Sequence, residues 1–469
     1  MTTKRRSGAS DAIYWFAFIV LLAIPGLITG LEMPLIYIGL AVMLVTFALY
    51  VTWYGKAVRR LQFDRLLFPI SVYFLLYIVI IAAAVLPGVL RETKFNTWLF
   101  ALLSLGFVAL LTATAVRNAR DPIRTLGGAL YAALGALCAL QLVFYSLGVE
   151  HAEKNNMPQI AKYISSLLFF DIYTNRVAFP LSSSMQYSAT YPSLLLAISI
   201  VRFWENSIYK VGAFISFIML AMIDARGFFV APILAYLAFV FAAKMPPSYA
   251  ALIGVTIPTV PVLIYKLRDL AQPLIYLVFP ERNRSAEMFS NRGYIWEQYF
   301  EHFGRCGDFE KLIGFGGYGQ YTSRLSESFL KFFNNFDTLS SALVSMHNSY
   351  IQILMDFGIV GLICISVLIY YLFYRVFCAY RDHGGKPLAS LLLMLLTLQW
   401  VAGSEVILTP YAREGFVVTS ALWIMVAMCV PAPSPRPAGR LVSGRAGRRD
   451  IRRMAAVPSP RFKTGAPRL

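Results

Sequence analysis

Side chains able to move a proton or hold an anion are scarce in this chain, and they gather at the edges of apolar runs. There are four histidines. One of them, His347, opens the segment HNSYIQILMDFGIVG, which leads directly into an apolar stretch. An imidazole titrates near neutral pH and can act as a general acid or base. Arg226 lies in Asp224-Ala225-Arg226-Gly227, which breaks the long apolar run from Ile208 to Ala243. Arg292 opens RGYIW, with Trp296 four residues on. A guanidinium stays charged at physiological pH, and its planar fork matches phosphate or carboxylate oxygens. Each residue also has a plainer reading. His347 could be a structural interfacial histidine, Arg226 could snorkel to lipid headgroups, and Arg292 could pair with Glu287 or Glu297. Arg176, Arg282 and Arg284 read as solvated charges, and His151, His302 and His383 have no motif around them.

The elements that must position these residues are membrane helices. Of 469 residues, 58% are hydrophobic and only 14% charged, where a soluble domain carries about a quarter charged residues. The apolar residues come in runs of about twenty, the length that crosses a bilayer. A water-soluble enzyme is excluded. The runs place spans at 12–30, 34–53, 66–87, 97–116, 125–147, 188–203, 208–223, 227–243, 248–266, 350–374, 387–405 and 416–431. The basic N-terminal stretch reads as a retained first helix, because its apolar core is long and no small-residue cleavage site follows.

Charge placement orients the chain. Loops expected inside carry Lys56, Arg59, Arg60 and Arg65, then Arg117, Arg120 and Arg124, then Arg202 and Lys210, Lys244, and finally Arg375, Arg381 and Lys386. The alternating loops are poorer in Lys and Arg, so both termini fall on the cytoplasmic side. The expected fold is therefore an all-α integral membrane protein of about twelve helices. Residues 1–11 form a cytoplasmic N-terminus, 12–266 helices one to nine, and 350–431 helices ten to twelve. Between helices nine and ten, residues 267–349 form a large, partly helical periplasmic loop. Two charges at Asp224–Gly227 predict a tight turn at the outer face, since exposing them to lipid would cost kilocalories.

Within that loop, Ile295, Trp296, Tyr299, Phe300 and Phe303 fall on one side at helical spacing, and Leu325, Phe329, Phe332, Phe333 and Phe336 repeat the pattern. Such stripes suit either a lipid-handling surface or packing on the helix bundle. Residues 432–469, with ten Lys or Arg and a single acid, Asp450, read as a disordered tail against anionic headgroups and not as a nucleic-acid site. Cys306 is the one thiol in a long polar loop and no CxxC pair exists, so neither a disulfide framework nor a zinc site is implied. Gly314, Gly316 and Gly319 fit G-x-G-x-x-G, but without a βαβ unit around them they read as a turn.

The motif around His347 resembles the O-antigen ligase and polymerase superfamily of bacterial glycan assembly. His347, Asn348, Gly358 and Gly361 fit its ligase pattern without a gap, at the end of the largest outer loop. DARG looks like the superfamily's Ser-Arg-Gly turn, NRGYIW like its loop-opening arginine, and LIGFGGYG like its glycine-rich turn. The segment FPLSSSMQYSATY matches the superfamily's Asn-containing segment poorly, and no residue is carried over from it.

The resemblance implies a GT-C-like membrane glycosyltransferase at the periplasmic face of the inner membrane. The donor would be an undecaprenyl-diphosphate-linked glycan and the acceptor lipid A-core or a second lipid-linked repeat unit. A protein acceptor, as in protein O-oligosaccharyltransferases, is a further possibility. His347 would be the base for a sugar hydroxyl. Arg226 and Arg292 would hold the departing diphosphate in place of a metal ion, consistent with the absence of an Asp-x-Asp sequence. Asn348 and Trp296 would join the substrate-binding set, and direct displacement would invert the anomeric carbon. Gly358 and Gly361 read as helix-packing residues. No cofactor is implied. A transporter or flippase of a lipid-linked or anionic substrate is the reading from another class. It expects charges near the bilayer midplane, whereas the candidates here gather at one edge. A scaffold would leave the motif unexplained. Replacing His347 with Ala is expected to abolish glycan transfer while membrane insertion stays normal; an insertion assay run beside a transfer assay checks both halves.

Overall fold

The computed structural model describes residues 14–23, 104–116, 119–148, 151–152, 177–179, 188–267, 292–332, 345–409 and 413–431. The chain divides into two units, 1–431 and 432–469. The basic tail lies outside the described residues, as do the expected spans at 34–53 and 66–87, and Arg176, Arg282 and Arg284. The described chain is helical apart from a two-residue antiparallel pairing of His151–Ala152 with Val177–Ala178.

Eleven longer helices organise the described residues. They are α1 (Tyr14–Ala23), α2 (Ser104–Val116), α3 (Pro122–Ser146), α4 (Thr190–Arg202), α5 (Ser207–Ile223) and α6 (Arg226–Ala242), followed by α7 (Pro247–Lys266), α8 (Arg292–Arg305), α9 (Ser349–His383), α10 (Lys386–Ala402) and α11 (Arg413–Cys429). Three of them, α3, α7 and α9, are long and apolar enough to cross a membrane by themselves. The other apolar helices fall where the sequence places spans. The described residues are thus predominantly helical, with the lengths and composition of a membrane protein.

α10 lies at the centre. Its residues from Leu388 to Leu398 are all buried, with no polar face, as expected of a helix enclosed by others. α4, α6 and α9 pack on it. The short segment after it, Gly403–Glu405, is thereby delivered to the middle of one end of the bundle.

Two local devices bring other elements to that end. The break between α5 and α6 comes where the charges predict it. Asp224 closes α5 in the left-handed conformation (φ 54°), a state that Asp tolerates better than most residues, and α6 restarts at Arg226. In α7, a 3-10 stretch at Ile257–Thr259 precedes Pro261. In that tighter winding the natural donor to the Pro258 carbonyl would be residue 261, which has no N–H. The carbonyl is thus available to a side chain from elsewhere.

The HNSYIQILMDFGIVG segment is broken at Gly358, whose backbone (φ 63°, ψ −162°) splits α9 into a short helix and a long one. The reason lies in the loop that crosses it. A Cβ on Gly358 would sit 2.4 Å from the Leu312 carbonyl, and one on Gly314 would sit 2.5 Å from the Asp356–Phe357 peptide. At the break, Met355 and Asp356 accept hydrogen bonds from the N–H groups of Phe315 and Gly316 at 2.9 Å, and Asp356 Oδ1 accepts from Gly319 N at 2.8 Å. The glycines at 314, 316 and 319 form a turn laid against the broken helix. The packing role expected of Gly358 is therefore toward this loop rather than toward a neighbouring membrane helix. A Gly358→Ala substitution should cost about 2 kcal/mol or more, because both the positive φ and the missing space oppose a side chain. Thermal unfolding of the detergent-solubilised variant measures this.

Candidate active site

Three consecutive residues, His347, Asn348 and Ser349, grip the loop that follows α10. Asn348 caps α9. Its carbonyl oxygen accepts from Tyr350 N and Ile351 N at 2.9 and 3.0 Å, and its amide donates to Pro258 O at 3.0 Å and Gly403 O at 2.9 Å. Ser349 Oγ donates to Glu405 O at 2.8 Å and accepts from Ile407 N at 2.9 Å. Asn348 and Ser349 are fully buried.

With the loop fixed in this way, Glu405 turns its carboxylate toward the start of α9. Oε2 lies 3.0 Å from His347 Nδ1, and Oε1 accepts from Arg292 Nη2 in an ion pair. One carboxylate therefore joins two of the sequence candidates. The Glu405 side chain is 3% exposed, His347 17% and Arg292 22%. A carboxylate this deeply buried is costly alone, and the two partners stabilise it as an ion. Of the two partners expected for Arg292, Glu287 lies outside the described residues, and Glu297 accepts from the Tyr265 hydroxyl at 3.2 Å.

α8 sets the other two sides of the cluster. Arg292 and Trp296, four residues apart, share one helix face. While Arg292 reaches Glu405, the Trp296 indole N–H donates to Met346 O at 2.8 Å, fixing the residue before His347. Gly293 lets this first turn rest on Tyr265, where a Cβ would meet the ring at 2.0 Å. Ile295, Trp296 and Tyr299 are buried with Tyr265, Leu325, Met346, Ile351 and Met355, and Phe300 and Phe303 lie against them. The first aromatic stripe thus serves packing. The second runs through a 3-10 helix, Leu325–Phe332, in which Leu325 is buried; Phe333 and Phe336 lie outside the described residues.

His347 itself has φ 48°, a left-handed backbone that costs a residue with a side chain roughly 1 kcal/mol. Its neighbours on both sides are fixed by hydrogen bonds, and such strain is retained where surroundings over-determine it.

Arg226 reaches the same end of the bundle by a different route. A Cβ on the adjacent Gly227 would lie 2.9 Å from Ser404 Oγ, so the α5–α6 turn sits directly on the 403–405 loop. Arg226 stands 3.7 Å from Asp224 and its side chain is 42% exposed, the loosest of the cluster's ion pairs. Asn348 and Trp296 take a different place from the substrate-facing one expected of them. Both are buried with their polar atoms bonded to protein, so they hold His347 in position from either side.

Of the other histidines, His302 packs on the Phe315 ring, with centroids 5.7 Å apart. Burial first, and then Arg305, push its imidazole below the usual range, favouring the neutral form.

Residues 211–366 match a family model described as O-antigen ligase. This segment is an O-antigen ligase domain. It spans most of α5, then α6, α7, α8 and the first part of α9, and so contains Arg226, Arg292, Trp296, His347 and Asn348. Over these residues the chain is similar to the O-antigen ligase/polymerase superfamily, and the match supports the resemblance carried by the His347 motif. No curated protein matches the chain. Glu405 lies beyond the O-antigen ligase domain, in the loop that the domain's His347–Ser349 segment holds. The sequence analysis does not single it out; the one sequence feature that could have is a charge at the end of an otherwise apolar span. Asn348→Ala should leave two buried carbonyls and two helix N–H groups without their side-chain partner. The expected loss is on the order of 3 kcal/mol, read by thermal unfolding, together with a fall in transfer activity.

Proposed function

We propose that the protein is a glycosyltransferase that moves a glycan from undecaprenyl diphosphate to a glycan acceptor such as lipid A-core, at the periplasmic face of the inner membrane. The observation that carries this reading is the Glu405 carboxylate shared between His347 and Arg292 at one end of an O-antigen ligase domain. With Nδ1–H donating to Glu405, the second imidazole nitrogen, Nε2, presents its lone pair. It takes the proton of the acceptor hydroxyl as that oxygen bonds to the anomeric carbon. The bond from that carbon to the phosphate oxygen breaks, and the diphosphate leaves with the electron pair. Attack opposite the leaving group inverts the configuration. The arrangement has the logic of other histidine bases oriented by a carboxylate, in which the carboxylate fixes the tautomer and stabilises the imidazolium.

Charge supports the same assignment. Among the described ion pairs, Arg226 stands against Asp224 and Arg292 against Glu405. Taking up a proton at His347 adds one positive charge to this cluster at the moment negative charge builds on the diphosphate, which is the condition for selective transition-state stabilisation. Arg226, the more exposed guanidinium, is the first candidate to contact the diphosphate; Arg292 divides its fork between Glu405 and the substrate side. Asn348 and Trp296 act as positioning residues. As a polymerase the same site would accept the end of a second lipid-linked chain, since the donor chemistry is common to both reactions.

The test is transfer by the purified, reconstituted protein, given lipid-linked donor with either lipid A-core or a second lipid-linked unit. A lipid A-core product assigns a ligase and lengthened lipid-linked glycan a polymerase; no product with either would overturn the proposal. Glu405→Gln keeps the size of the side chain and loses its charge, and should lower kcat by about 10²–10⁴-fold, the range for a general base and its orienting group. Arg226→Lys should also impair transfer, because a point charge cannot present a fork to phosphate oxygens; full activity in that variant would remove Arg226 from the diphosphate site.

A further inference from the structure

At the opposite end of α10 from Glu405, roughly 25 Å away by helix rise, lies a second concentration of basic side chains. A shallow cleft, largely open to the exterior, is lined by Arg124, Arg202, Gly127, Gly128 and Ser390, over a base of Ile198, Met394 and Met425. The first turns of α3 and α10 meet here. Asp121 already caps α3, accepting from Arg124 N at 3.1 Å, but α10 starts at Gly385–Lys386 with no side-chain cap. Its positive end is free to favour an anion.

The opposing charges are few. Glu205 pairs with Arg202 at 2.6 Å and with Lys386 at 2.9 Å. The Arg202 guanidinium also lies over the Tyr209 ring at 4.5 Å. Arg124, Arg202 and Lys386 together outnumber Asp121 and Glu205.

Two observations independent of charge mark this as a binding site. Ser390 is only 7% exposed, and its hydroxyl, on the cleft wall, has no hydrogen-bond partner among the described residues. A buried hydroxyl left unbonded costs on the order of 1–3 kcal/mol, a penalty that a bound acceptor would remove. Gly127 and Gly128, half-buried near the start of α3, have nothing within 4 Å of where a Cβ would be. The cleft is basic at its rim and apolar at its base, the polarity profile of a phospholipid with its phosphate at the rim and its glycerol and first methylenes below.

We propose that this cleft binds the phosphate of an anionic phospholipid, held by Arg124 and Arg202, with the Ser390 hydroxyl donating to a phosphate or ester oxygen. The site is separate from the glycan-transfer centre and does not depend on that assignment.

The full-length protein, purified in detergent, can be tested with phosphatidylglycerol, phosphatidylcholine or inorganic phosphate, reading retained lipid by native mass spectrometry and stability by thermal unfolding. Phosphatidylglycerol should be retained and raise Tm, whereas phosphatidylcholine and inorganic phosphate should not. Arg124→Gln removes a rim charge, and Gly128→Leu puts a side chain into the cleft from a Cβ position with nothing within 4 Å. Each should reduce retained phosphatidylglycerol on the order of tenfold, and the two variants report independently should one fail to fold. Retention equal to wild type in a folded variant would overturn the proposal. So would an equal Tm shift with inorganic phosphate, which would assign the cleft to a free anion.

Discussion

The site rests on one carboxylate that is out of reach of bulk water. Glu405 is buried, and a buried carboxylate persists as an ion only where positive or donating groups surround it. Here those groups include Arg292, at the start of α8, and His347, just before α9, both within the stretch between α7 and α9. The carboxylate cannot be satisfied unless that stretch is folded back onto the end of α10. The same interaction that stabilises Glu405 therefore assembles the candidate catalytic residues, and neither can be lost without the other.

Around this interaction the molecule is arranged in layers of support. The enclosed helix α10 carries the loop, and Asn348 and Ser349 bind that loop by its backbone carbonyls and one N–H. Trp296 fixes Met346, and the break at Gly358 admits the 312–319 loop against the underside of the short helix. His347 is held between a fixed carbonyl before it and a buried cap after it, which explains how a left-handed histidine is tolerated. The rigidity comes from buried hydrogen bonds to backbone groups, whose geometry varies little, while the more exposed Arg226 remains the adaptable member.

Much of this was legible in the sequence, for identifiable reasons. The helical body follows from apolar run length, and the turn at Asp224–Gly227 from the cost of charges inside such a run. His347 stood out by its motif and Arg292 by the resemblance of NRGYIW to a loop-opening arginine. Their meeting point did not. Glu405 is distant in sequence from both and lies outside the O-antigen ligase domain, so only the fold joins it to them. Residue type was also a poor guide to which side chains face the substrate. Asn348 and Trp296 look like recognition residues, yet burial turns their polar atoms inward. The aromatic stripe from Ile295 to Phe303 has the spacing of an interfacial helix and is used for packing, a choice that periodicity alone does not make.

The central claim is the bond between Glu405 and His347 Nδ1. With only four histidines in the chain, imidazole ¹⁵N resonances of uniformly histidine-labelled protein in detergent can be assigned by single substitution. The account predicts that the neutral His347 ring carries its proton on Nδ1 and that Glu405→Gln shifts this resonance while leaving the other three in place. A His347 signal that is indifferent to Glu405→Gln, or a ring protonated on Nε2, would contradict it.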